Sequence, residues 1–278
     1  MRDEEAHSFK RGESVTDFFQ VDRMSISFGG LTAVDKVRFN VTRGSIFSII
    51  GPNGAGKTTI FNCISGLYKP NSGKILFKGE EITGLKPYKI AQKGIARTFQ
   101  NIELFSRMTT MENLMLGRHI HMKTGIWSGA TFFRRGSKAA RDEIKHREQV
   151  EKIIDLLDLQ YARNQFVGGL PYGTQKLIEL ARALALEPEL LLLDEPSAGM
   201  NSEEKQDLIF WVKDIQDELG VTILLIEHDM KMVMDISDRV LAINFGKPIV
   251  EGVPEAVQKH PEVLKAYLGE DEFVEYAA

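Results

Sequence analysis

Gly51-Pro52-Asn53-Gly54-Ala55-Gly56-Lys57-Thr58-Thr59 fits the pattern G-x-x-x-x-G-K-[ST], and its flanks fit the structure which that pattern needs. Before it, residues 45–50 (Ser-Ile-Phe-Ser-Ile-Ile) form a short apolar run that reads as a buried strand. After it, residues 60–64 read as the first turns of a helix. The glycines let the backbone curl so that successive N–H groups point at one anion. The helix N-terminus adds its partial positive charge. Lys57 is expected to reach the outer phosphates of a nucleotide, and the Thr58 hydroxyl to ligate Mg²⁺. Gly51, Pro52, Asn53, Gly54, Ala55, Gly56 and Thr59 complete the cradle.

Working outward, 278 residues are enough for one large domain or two small ones and for a sizeable core. A net charge of −4 gives the chain as a whole no nucleic-acid footprint. The single cysteine, Cys63, excludes an internal disulfide and fits a reducing compartment. It is expected to be an inert, packed thiol. The start, Met1-Arg2-Asp3-Glu4-Glu5, is charged and does not read as a signal peptide. The longest apolar runs, at 190–193 and 223–226, are strand-length, so any membrane role is expected to come through a partner.

Residues 1–17 are polar and read as a loose tail. Strand character appears over 18–28, 37–41, 74–78 and 95–99, with turns at Gly29-Gly30 and at Lys69–Gly73. Residues 101–185 change character. Val150, Ile153, Ile154 and Leu157 recur at helical spacing, as do Leu177, Leu180, Ala181 and Leu184. Strands return at 190–193, 221–226 and 239–243. Between the first two lies a helix with Leu208, Trp211, Val212, Ile215 and Leu219 on one face. Asn201 or Ser202 can cap its start and Gly220 its end. Strands alternating with helices predict a parallel sheet.

The run Leu190-Leu191-Leu192-Leu193-Asp194-Glu195 delivers two carboxylates to a sheet edge, where α/β sites form. Asp194 is placed to hold Mg²⁺ through water, and Glu195 to polarise an attacking water. The next strand ends in Ile226-Glu227-His228-Asp229, so His228 can orient the γ-phosphate and that water. Gln100 follows a short strand at the junction with the helical segment. It can contact Mg²⁺ and the water and report the nucleotide state. In Leu170-Pro171-Tyr172-Gly173-Thr174-Gln175, Pro171 suits a helix entry. The N–H groups of Tyr172, Gly173 and Thr174 then offer a second anion site.

These motifs, in this order, resemble the ATP-binding subunits of ABC transporters across residues 18–258. Residues 51–59 match the Walker A loop, Gln100 the Q-loop and 170–175 the signature loop. Residues 190–195 match Walker B with its glutamate, 197–201 the D-loop and His228 the switch histidine. A narrower similarity is to the branched-chain amino acid uptake ATPases. It rests on Ile102–Phe105, Met108–Asn113, Gly199-Met200-Asn201, Glu227–Met230, Ala266–Glu270 and the long stretch 118–147. Against the usual Leu-Ser-Gly-Gly-Gln, Pro171, Tyr172 and Thr174 replace the serine, the first glycine and the glutamine.

The resemblance implies a P-loop NTPase fold with a parallel-sheet core, an antiparallel β subdomain and an inserted helical subdomain. The core would span about 18–100 and 186–258, the helical part about 101–185, and a C-terminal extension 259–278. It implies an ATPase that works with Mg²⁺ as one of two subunits, with each nucleotide gripped by one chain's phosphate loop and the other's signature loop. Adenine would stack on Phe28. Glu195, His228 and Gln100 would serve hydrolysis, and Thr58, Gln100 and Asp194 the metal. The partners implied are integral-membrane permease subunits, reached through a groove near Gln100, and a second ATPase subunit, a different chain in preference to a second copy of this one. A periplasmic or extracellular substrate-binding protein would take part indirectly, and nucleic acid would not. The chain would lie on the cytoplasmic face of a bacterial inner membrane. Urea or amide uptake, lipopolysaccharide export, a soluble non-transport ATPase and a non-hydrolysing regulator are the competing readings.

Stretch 118–147 is basic: Arg118, Lys123, Arg134, Arg135, Lys138, Arg141, Lys145 and Arg147 outnumber Asp142 and Glu143. It reads as a solvated charged surface or, with Trp127, Phe132 and Phe133, as a contact to anionic lipid or an acidic permease loop.

Overall fold

Phe19, Val21, Met24 and Ile26 of the first strand are buried, an alternation that shifts by one residue at the irregularity between Val21 and Met24, and this pattern builds the smaller of two sheets. The computed structural model describes residues 18–122 and 138–268. The tail 1–17, Lys123, Trp127, Phe132–Arg135 and the residues beyond 268 lie outside the described residues. Strands β1 (Phe19–Phe28), β2 (Leu31–Val41), β4 (Ser72–Phe77) and β5 (Glu80–Glu81) pair antiparallel in the order β2-β1-β4-β5.

The larger sheet has the order β10-β9-β3-β8-β7-β6. It contains β3 (Ile46–Ile50), β6 (Ile95–Arg97), β7 (Leu190–Asp194), β8 (Thr222–Ile226) and β9 (Arg239–Asn244), all parallel. Every residue of β3, β7 and β8 is buried, as expected of parallel strands covered on both faces. The pleat divides them between two cores. Leu190, Leu192, Leu224 and Ile226 face the antiparallel sheet and helix α1 (Lys57–Ile64). Leu191, Leu193, Ile223 and Leu225 face the helices on the other side.

That second layer contains α3 (Thr110–Gly117), α4 (Lys138–Leu156), α5 (Tyr172–Leu184) and α6 (Ser202–Leu219). Val150, Ile154, Leu177, Leu180 and Leu184 supply its buried face, as their spacing predicts. Short helices α2 (Pro87–Gln92), α7 (Met230–Ile236), α8 (Pro254–Gln258) and α9 (Pro261–Leu268) complete the chain. Asn201, rather than Ser202, caps α6 in a capping box with Glu204, and Gly220 closes it in the left-handed conformation at φ 64°.

Several expectations are corrected. Strand β6 stops at Arg97, not at residue 99, because the edge strand pairs only with β7 and the chain then leaves the sheet. Residues 101–109 are not helical; the capping box of Thr109 and Glu112 starts α3 at Thr110. Leu219 is 49% exposed, at the last residue of α6, and does not share the buried face of Leu208, Val212 and Ile215. Pro171 is the N-cap of α5 rather than its first helical residue. Arg118 is not part of a basic surface: it is buried, with its guanidinium on Glu187, the Ala185 carbonyl and His146. Strand β10 (Lys247–Gly252), antiparallel to β9, escaped the sequence reading. Its polar, proline-containing segment is typical of an edge that needs no apolar alternation.

Candidate functional site

Because β3, β6, β7 and β8 run parallel, the segments that follow them emerge at one edge of the sheet. The loop after β3 closes on Gly56, which has φ 101° and caps α1. A Cβ there would stand 2.6 Å from the Ala33 carbonyl of β2, so only glycine fits. The N–H groups of Lys57, Thr58 and Thr59 precede the first helical bond, from the Ile60 N–H to the Gly56 carbonyl at 3.0 Å. No side chain caps them. The Lys57 ammonium is buried and donates to the carbonyls of Gly51 (2.7 Å) and Pro52 (3.1 Å). Burial lowers its pKa, and the nearby carboxylates of Glu195, Asp194 and Glu227 oppose that shift.

Asp194 ends β7 with its side chain 1% exposed. One oxygen, Oδ2, accepts from Arg97 at 2.8 Å; Oδ1 is buried with no hydrogen-bond partner. Burial pushes the carboxyl upward, and the Arg97 bond and charge pull it back. Arg97 also donates to Asn62 (2.8 Å) and Ser65 (2.9 Å) of the α1 segment, and its guanidinium lies over the rings of Phe61 and Phe99. Sequence reasoning missed Arg97: an arginine at the end of an edge strand gives no sign of the carboxylate it will meet.

Glu195 adopts φ 49°, a left-handed conformation held by its N–H bond to the Ile226 carbonyl at 2.9 Å. Its Oε2 accepts from the Gln100 amide at 2.9 Å and lies 3.8 Å from the His228 Nδ1. Three motifs from distant parts of the sequence therefore meet at one carboxylate oxygen. The segment carrying Gln100 is held by α5. Lys176 donates to the Gln100 carbonyl (2.6 Å), Glu179 accepts from the Glu103 N–H (3.4 Å) and Arg182 donates to the Glu103 carbonyl (2.6 Å). These three residues escaped notice because only the apolar face of α5 was read. Their signal was the spacing i, i+3, i+6 beside that face.

At the start of α5 no side chain caps the N–H groups of Tyr172, Gly173 and Thr174. The Thr174 hydroxyl is 3.2 Å from that of Tyr161. The Tyr172 ring covers Gly199: a Cβ on that glycine would come within 2.9 Å of it. Phe28, 46% exposed, stands edge-to-face with Tyr68 at 5.2 Å between centroids. From α9, the Tyr267 hydroxyl faces the Gly51 backbone N–H, and burial raises its pKa to about 12. Cys63 is buried, with its thiol pushed up to about 12 by burial, as befits an unreactive packed side chain.

A phosphate loop after β3, a carboxylate pair at the end of β7 two strands across the sheet and a cradle of uncapped amides, set on this sheet order, define an ATP-binding cassette. The model of the ABC transporter family matches residues 34–198, and the chain belongs to that family. A second model, described as branched-chain amino acid ATP-binding cassette transporter, matches residues 247–272. The chain is 44% identical over 254 residues to the high-affinity branched-chain amino acid transport ATP-binding protein BraF of Pseudomonas aeruginosa, covering 90% of this chain and 97% of that protein. It is 42% identical over 253 residues to LivG of Escherichia coli, which carries the same description, with coverage of 90% and 97%. Among solved structures, a nucleotide-free ATP-binding cassette from an ABC transporter superposes with a TM-score of 0.78 at 30% identity, covering 91% of this chain and 99% of that one. An ADP conformation of such a cassette gives the same values.

Proposed function

We propose that this chain is the ATP-hydrolysing subunit of an importer for branched-chain amino acids. The observation that carries the reading is the meeting of Gln100, Glu195 and His228 beside the phosphate loop. In this reading, ATP enters with adenine on Phe28 and its phosphates on the amides of residues 51–59. The Lys57 ammonium turns from the Gly51 and Pro52 carbonyls to the outer phosphates. Gln100 leaves the Glu195 carboxylate for the attacking water. Glu195 then takes a proton from the water as the water oxygen bonds to the γ-phosphorus, the bond from that phosphorus to the bridging oxygen breaks and ADP leaves, while His228 holds the γ-phosphate in line.

The free, buried Oδ1 of Asp194 and the exposed Thr58 hydroxyl fit Mg²⁺, which would supply charge compensation across the phosphates. The amides of Tyr172, Gly173 and Thr174 serve the nucleotide of a second ATPase subunit, which we take to be a different chain. The division into a core (18–100, 186–258), a helical insertion (101–185) and a C-terminal extension is our working map of the cassette.

No helix among the described residues is long and apolar enough to cross a membrane. Membrane attachment then falls to a docking surface. A groove of about 380 Å³ between α3 and α4, lined by Met108, Met111, Met115 and Met122 with Glu112 and Glu143 at its rim, suits a permease helix. It lies on the subdomain that α5 connects to Gln100. In this reading the chain lies on the cytoplasmic face of a bacterial inner membrane, with a substrate-binding protein acting beyond the permease. The decisive experiment is phosphate release by the chain reconstituted with its cognate permease and binding protein. Stimulation by leucine, isoleucine or valine supports the reading. Stimulation by urea or an amide alone overturns the substrate class, and no phosphate release under any condition overturns the ATPase.

A further inference from the structure

Glu227, just past the end of β8, is a carboxylate that the proposed chemistry does not use, and it is fully buried. A buried carboxylate is costly unless its lone pairs are satisfied, so its partners reveal what it is for. Oε1 accepts from the Ser197 N–H at 2.9 Å. Oε2 accepts from the His228 N–H at 3.0 Å and, more weakly, from the Asp229 N–H at 3.4 Å. One side chain thus joins the loop that follows Glu195 to the strand end that carries His228. Ser197 is itself buried, so water does not substitute readily for the bond.

The same two segments meet a second time where Lys205, in the first turn of α6, donates to Asp229 at 2.8 Å. The loop is also touched from outside. The Tyr172 ring rests on Gly199, and Gly173 packs against Glu204, so that a Cβ on either glycine would collide with its neighbour. The contacts therefore run without a break from the N-terminus of α5, through 197–204 and Glu227, to His228 and Glu195.

We infer that Glu227 is a positioning residue that fastens loop 197–201 to His228, so that displacement of the α5 N-terminus moves His228 and Glu195 as one unit. A carboxylate suits this task because both oxygens accept. An amide keeps the shape but turns an N–H₂ towards one of the two segments, which breaks the link on that side. The inference rests on the ATPase reading for its kinetic arm only.

The test uses the full chain and Glu227→Gln, with turnover read in the assembly with the second ATPase subunit and permease and exchange read on the chain itself. Thermal melting first establishes that the variant folds. The expected result is ATP affinity and KM within about twofold of wild type and kcat lower by roughly tenfold, an effect of orientation rather than binding. Hydrogen exchange should show the amides of Ser197, His228 and Asp229 opening together in wild type, with the Ser197 or the His228 side opening separately in the variant. Unchanged kcat in a folded variant, or ATP affinity lost in step with kcat, overturns the inference. If the variant does not fold, wild-type exchange decides: unrelated opening rates for the three amides overturn it, and a shared rate supports it. Absence of hydrolysis by the wild type in the reconstituted assembly overturns the ATPase reading instead and leaves the exchange arm to judge the link.

Discussion

Lys57 contributes the ammonium of the phosphate loop, and its surroundings set what its loss does. Burial disfavours its charge, three carboxylates offset part of that, and two loop carbonyls hold the ammonium. Lys57→Ala removes a charge-assisted contact to phosphate, for which about 1.5–3 kcal/mol, or roughly 10- to 100-fold in affinity, is expected. Calorimetry of Mg²⁺-ATP binding checks this, and unchanged affinity would refute the role of the loop. Glu195→Gln isolates a different step. An amide oxygen can still accept from Gln100, so the strained φ of 49° and the loop should persist while the base is lost. Turnover should fall by about 10²–10⁴-fold with ATP still bound, and an ATP-stabilised dimer should accumulate. Wild-type phosphate release from this variant contradicts its assignment as general base. Residues at this scale were unequally legible. Lys57, Asp194, Glu195 and His228 announce themselves by spacing from glycines or by ending an apolar run. Arg97 and Glu227 do not, because their partners lie 97 and 30 residues away and only the folded sheet brings them together.

At the scale of elements, the strands of the parallel sheet were readable because burial on both faces leaves no room for polar residues. Leu190–Leu193 is the plainest case, with alternate leucines in opposite cores. Strand β10 was not, since an edge strand exposed to water carries no such pattern. Helix α5 was read by its apolar stripe alone, yet Lys176, Glu179 and Arg182 hold the Gln100 segment and its first turn offers the uncapped amides. These two ends of α5 should separate in experiment. Pro171→Ser and Thr174→Gln lie at the first turn, remote in sequence from Lys57 and on another element. Both should leave ATP affinity of the isolated chain within about twofold while altering dimerisation or turnover by more, because this loop faces the nucleotide of the second subunit and not that of its own chain. Titration of nucleotide into the monomer, compared with turnover of the assembled pair, distinguishes the cases. A clear change in monomer affinity means that the loop acts within its own chain.

For the whole molecule, the question is how a cassette with no spanning helix among its described residues comes to work at a membrane. Net charge does not answer it: at −4 the chain has no general attraction to anionic lipid, and Arg118, counted in the basic stretch, is buried. What remains is the methionine-lined groove between α3 and α4, which offers polarizable, adaptable apolar surface beside the segment that α5 connects to Gln100. Recovery in membrane fractions should therefore depend on the cognate permease. Cells lacking the permease genes should release the chain to the soluble fraction. Met115→Glu places a carboxylate among the methionines of the groove, where a permease helix would bury it, so it should weaken recovery roughly tenfold or more in cells that have the permease. Burying an unpaired charge at a contact carries a penalty of this order or more. ATP binding by the purified variant should be unchanged, since the groove and the phosphate loop are on different layers of the fold. Equal membrane recovery with and without the permease would point to direct lipid contact. Recovery lost with Met115→Glu but independent of the permease would point to some other membrane protein as the partner.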